Sequence, residues 1–134
     1  IKLMPDYAIA HNNLGTALFS GGKISEAIFH YKKAVSLKPV YTLAHINLGL
    51  ALVKDNKTGE AISHYKKAIK LKPNSPHAHT KLGNALMEEG KISEAISHYK
   101  IAIKLKPDNP IARKNFKMAL DRLAEKKKAS QPAK

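Results

Sequence analysis

Seven histidines among 134 residues are the first candidates for chemistry. Six of them recur at a fixed interval: His11, His45 and His79 in one series, His30, His64 and His98 in another. A zinc ion needs its ligand atoms about 2.0–2.1 Å away. Equivalent residues on stacked helices lie about 8–10 Å apart, and His77 and His79, two apart on a helix, point to different faces. The histidines therefore read as copied along with a repeating unit, and neither a metal nor a cofactor is expected. Catalytic residues are not expected either. The chain has no cysteine, and its serines have no fixed histidine and carboxylate setting. Glu26, Glu60 and Glu94 recur where a carboxylate complements a helix N-terminus. Glu88 and Glu89 read as a solvated pair, and the glycines lack the strand-to-helix context of a phosphate loop.

The formal charge of +14 is the strongest compositional signal. It favours acidic partners and salt-sensitive association, and the terminal run EKKKASQPAK extends it as a disordered basic tail. Nucleic acid is disfavoured as a ligand because exposed aromatics for base stacking are not interleaved with the lysines. No apolar run reaches the length of a membrane span. Compartment stays open, with the cytoplasm as the default, since cysteine-free chains occur on both sides of a membrane.

The elements that must position these residues come from internal duplication. Pro5, Pro39, Pro73 and Pro107 are spaced by 34 residues each time. The words NLGTAL, NLGLAL and KLGNAL recur between them, followed by SEAIFHYKKAVSLKP, GEAISHYKKAIKLKP and SEAISHYKIAIKLKP. Each unit predicts two helices. In the first, Ala10, Leu14, Ala17 and Leu18 make one apolar stripe, and Ala27, Ile28, Tyr31, Ala34 and Val35 make the other. Gly21-Gly22, Asp55-Asn56 and Gly90 stop the first helix of each pair, and the prolines stop the second. Ser75 and Asn109 are expected N-caps before Pro76 and Pro110. Gly15, Gly49 and Gly83, costly inside a helix, predict that another backbone comes close.

The expected architecture is all-α. Residues 6–39, 40–73 and 74–107 form three tandem helical hairpins stacked as a solenoid. A capping helix follows over 108–126, where Lys117 replaces the glycine, and a tail over 127–134. Residues 1–5, IKLMP, read as the remnant of a preceding repeat, so the C-terminal end reads as finished and the N-terminal end as open. Apolar residues such as Ile9, Phe19 or Phe29 would then lack a neighbour, and copies of the chain could self-associate there.

The period, the Leu-Gly pair, the Ala-x3-Tyr-x2-Ala run and the closing proline resemble the tetratricopeptide repeat (TPR) family over roughly residues 6–123. Histidine stands at His11, His45 and His79 where the family has an aromatic residue. The resemblance implies a right-handed superhelical stack and a concave groove that binds proteins. On that groove it places Asn12, Asn13, Thr16, Ile46, Asn47, Leu50, His77, Lys81, Asn84 and Asn115.

Two family precedents bear on this surface. The repeat words are similar to those of bacterial arrays and of O-linked N-acetylglucosamine transferases; in the transferases an asparagine ladder, matched here by Asn13, Asn47 and Asn115 and interrupted by Lys81, holds extended polypeptide. The chain could accordingly be the substrate-recruiting part of a larger transferase. The second precedent is the carboxylate clamp for acidic chaperone tails. Asn47 and Lys81 match it, His77 stands where it has lysine, and Asn12 and Thr16 where it has lysine and asparagine. The expected activity is a protein-interaction scaffold that holds an extended peptide or a helix of a partner in the concave groove, with acidic or extended segments among the partners considered.

Overall fold

The computed structural model describes the backbone of residues 3–130 and the side chains of residues 7–130. Its seven helices are α1 (Leu3–Ser20), α2 (Ile24–Leu37), α3 (Thr42–Lys54), α4 (Thr58–Leu71), α5 (Pro76–Glu88), α6 (Ile92–Leu105) and α7 (Pro110–Ala129), and no strand occurs among the described residues. They fall into two compact units, Ile1–Pro73 and Asn74–Lys134.

In the first unit α1 pairs with α2 and α3 with α4, while α2 packs on α3 and α1 touches α3. In the second unit α5 pairs with α6, and α7 packs on α6 and touches α5. Each hairpin closes on the same residues. Ala27, Tyr31 and Ala34 of α2 are buried, as are Ala61, Tyr65 and Ala68 of α4 and Ala95, Tyr99 and Ala102 of α6. Burial of such side chains supplies the driving force, about 25 cal/mol per Å² of apolar surface.

The turns within hairpins share one mechanism. Gly22, Asn56 and Gly90 have φ of 80°, 61° and 77°. The next residue then donates its N–H back into the helix: Lys23 to the Leu18 carbonyl, Lys57 to Leu52 and Lys91 to Leu86, each at 2.8 Å. This arrangement satisfies carbonyls that the helix end would otherwise orphan. At the other junctions the expected caps form. Ser75 Oγ accepts from the Ala78 N–H at 3.1 Å, and Asn109 Oδ1 accepts from the N–H groups of Ile111 and Ala112.

Three expectations need correction. What meets the mid-helix glycines most closely is a tyrosine ring and not another backbone. A Cβ on Gly15, Gly49 or Gly83 would lie 2.7, 2.4 or 2.6 Å from the ring of Tyr31, Tyr65 or Tyr99. Second, α1 runs from Leu3 through Pro5 without a break, since a proline in the first turn loses no helical hydrogen bond; residues 1 and 2 of the expected remnant lie outside the described residues. Third, α7 continues to Ala129, taking in Lys126, Lys127 and Lys128 in its last turn, where cations complement the helix dipole. Of the expected tail, residues 131–134 lie outside the described residues.

Candidate peptide-binding site

The predicted groove residues divide by burial. Asn12 and Ile46 are buried, as is their counterpart Thr80 in the third repeat. They hold equivalent places in the repeat, one residue before the asparagine column. Asn13, Thr16 and His77 are exposed, while Asn47, Leu50, Lys81, Asn84 and Asn115 are half-buried.

Within the first unit the polar members join up. The Tyr31 hydroxyl donates to Thr16 Oγ1 at 3.0 Å, and that hydroxyl donates to the Asn12 carbonyl at 3.0 Å. Asn47 Nδ2 donates to Asn12 Oδ1 at 3.0 Å. The second unit repeats the idea with different partners. Asn84 Oδ1 accepts from the Tyr99 hydroxyl at 2.6 Å and from Asn115 Nδ2 at 2.9 Å. Asn47 and Asn115 therefore each spend one amide hydrogen inside the protein. The simple column of free amides becomes two asparagine pairs, Asn47 with Asn12 and Asn115 with Asn84. Asn47 and Asn115 each still have a side-chain carbonyl and one N–H, enough to bond a peptide group.

Two concavities flank α5. One, of about 240 Å³, is lined by Asn84, Met87, Glu88, Tyr99, Asn115, Met118 and Arg122. Burial pushes the Tyr99 phenol up to about 12. The other, of about 310 Å³, is lined by Pro76, His77, Thr80, Lys81, Lys106, Asn109 and Ile111. Three of these carry basic groups and none carries a carboxylate. Although His77 is exposed at the rim, partial loss of water around its imidazole, and then the Lys81 charge, hold it below its ordinary value.

Lys106 and Asn109 were absent from the predicted site. A signal for Lys106 existed in the repeat, because Lys38, Lys72 and Lys106 recur just before the closing prolines. Placing it beside His77 requires the path of the loop between α6 and α7, which no periodicity states.

The two histidine series also meet, but across each hairpin. His11 Nδ1 lies 3.0 Å from His30 Nδ1, His45 Nδ1 3.2 Å from His64 Nδ1, and His79 Nδ1 3.0 Å from His98 Nδ1. The two rings of each pair lie within 22°, 24° and 25° of parallel, with centroids 5.2, 5.4 and 5.3 Å apart. Comparing each series only with itself overlooked this pairing, although the separation of 19 residues is the same in all three repeats. No group of three or more histidine or acidic side chains able to hold a metal gathers among the described residues. No described helix is long and apolar enough to cross a membrane.

The helical hairpins, their glycine–tyrosine contacts and the closing prolines define a tetratricopeptide array. The model of the TPR repeat matches residues 15–56, 51–90 and 83–115, and the chain belongs to that family. It is an all-α protein of three TPR repeats with an additional C-terminal helix. Among curated proteins, none matches the chain by sequence. Solved structures do. The first TPR of Spaghetti (RPAP3) bound to the HSP90 peptide SRMEEVD is 26% identical, with a TM-score of 0.87 over 90% of this chain and 95% of that one. The first TPR domain of human RPAP3 is 27% identical, with a TM-score of 0.88 over 92% and 98%. The second TPR domain of human RPAP3, in complex with the HSP70 peptide SGPTIEEVD, is 26% identical, with a TM-score of 0.81 over 84% and 94%.

Proposed function

We propose that this chain is a protein-interaction module, and that the basic cavity beside α5 receives an acidic, extended segment of a partner protein. The observation that carries this reading is the convergence of His77, Lys81 and Lys106 on one concave surface without an acidic side chain in its lining. A carboxylate entering there exchanges water for charge-assisted hydrogen bonds, which are stronger than neutral ones. The similar RPAP3 domains support the reading, since the peptides named with them, SRMEEVD and SGPTIEEVD, both end in an acidic stretch. Asn115, whose side chain keeps a carbonyl and one N–H, serves as a backbone contact within the same unit. Asn47 has the same role in the other unit, together with Asn13 and Leu50.

Isothermal titration with a peptide ending in EEVD tests the reading directly. Its C-terminal amide and a sequence with glutamine for each glutamate serve as comparisons. The free acid binds best, and Lys81→Glu weakens it by at least tenfold, about 1.4 kcal/mol. Equal binding of all three peptides, or an affinity unmoved by Lys81→Glu, would dismiss this cavity as the acidic-segment site.

A further inference from the structure

The histidine pairs between helices have a consequence independent of peptide binding. Two ring nitrogens within hydrogen-bond distance share one hydrogen, which one donates and the other accepts. In the middle pair the tautomers can be assigned. His45 Nε2 lies 2.9 Å from the Pro39 carbonyl oxygen, which only accepts, so Nε2 carries hydrogen. Neutral His45 then has a bare Nδ1, and the hydrogen between the rings belongs to His64 Nδ1 at 3.2 Å. His64 Nε2 is left with a lone pair.

The protonation order follows. A first added proton goes to His64 Nε2 and strengthens the bond to His45, because the donor is now charged. A second proton has only His45 Nδ1 to occupy, directly opposite the His64 N–H. Two hydrogens and two positive charges then face each other at a spacing made for one hydrogen.

We propose that the His45–His64 pair is an acid-sensitive latch between α3 and α4, closed with one added proton and opened by a second. The surroundings reinforce it. From α4, Lys67 acts on His45 and Glu60 on His64; from α2, Lys32 acts on His64 and forms an ion pair with Glu60 at 3.2 Å. Two cations against one carboxylate resist a second charge. Burial holds both rings below the ordinary histidine value of 6.5, and for His64 the charge of His45 is the next cause. The same contact between Nδ1 atoms recurs at His11–His30 and His79–His98.

The sign of the effect is fixed by proton counting. The unfolded chain takes up two protons at these rings as pH falls below about 6.5, whereas the closed latch takes one. Stability at this pair is therefore present above that pH and lost below it. One withheld proton changes the folding constant by up to about tenfold per pH unit.

The experiment compares the intact chain with His64→Gln in urea denaturation between about pH 7.5 and 5. The glutamine amide donates to neutral His45, and turned over it accepts from protonated His45, so no proton is withheld. The folding constant of the unaltered chain falls more steeply with acid than that of His64→Gln, by up to about tenfold per pH unit. Identical slopes overturn the latch. Should His64→Gln fail to fold, an NMR titration of the histidine rings in the unaltered chain decides. The pair takes up its two protons in separate steps at least one pH unit apart; equal, independent midpoints overturn the proposal.

Discussion

A single methyl group tests how the repeats are packed. Alanine for Gly49 gains about 1 kcal/mol in helix propensity, yet its Cβ would lie 2.4 Å from Tyr65 Cε1. Carbon atoms rest about 3.5–4.0 Å apart, and Tyr65 is 1% exposed, so its ring has nowhere to go. Overpacking of this kind costs about 1–3 kcal/mol. Gly49→Ala is therefore expected to lower stability by up to about 2 kcal/mol in urea denaturation, and adding Tyr65→Leu to cost less than the two changes summed. Tyr99 offers a test by pH. Its phenol is pushed up to about 12 by burial, so the folded protein withholds an ionisation that the unfolded chain undergoes near 10. That contribution to stability is complete below pH 10 and disappears as pH rises towards 12. Ultraviolet titration should show late phenolate ionisation, and Tyr99→Phe should remove the part of it nearest pH 12.

The turns and caps determine where helices stop, and their cost is conformational. A Cβ on Gly90 would meet nothing within 4 Å, but its φ is 77°. Gly90→Ala is expected to cost about 1–2 kcal/mol for that reason alone, and Asn56→Gly, at φ 61°, to gain some tenths. Thermal melts of both variants check the two signs together. These stops were legible because each rests on one residue type at a fixed place in a repeating word, as do the caps at Ser75 and Asn109. The site was legible in part. His77 and Lys81 are one turn apart on α5, so helical spacing alone puts them together. The bond from Asn115 to Asn84, and the approach of Lys106, depend on the rotation of one helix against another and the path of a loop. The burial of Asn12 and Ile46 was hidden likewise, since only packing decides which flank of a helix a neighbour covers.

For the molecule as a whole, charge acts on stability and on binding in opposite senses. The formal charge of +14 repels itself in the folded state, where the lysines are held closer than in the unfolded chain. The ion pairs Lys32–Glu60 and Lys57–Asp55 involve partly exposed side chains, and pairs of this kind contribute only about 0–1 kcal/mol. Raising ionic strength from about 0.01 to 0.15 M shortens the screening length from about 30 to 8 Å. Repulsion across the surface is weakened by that change, and Tm is expected to rise by a few degrees. The same screening weakens attraction between an acidic peptide and the cavity of His77, Lys81 and Lys106, so peptide affinity should fall over the same range. Thermal melts and titrations in matched buffers measure both. Opposite slopes support a basic surface that recognises acidic segments. An affinity that does not fall with salt while Tm rises would assign the binding to apolar contact, at Ile111 in that cavity, because salt does not screen such contacts.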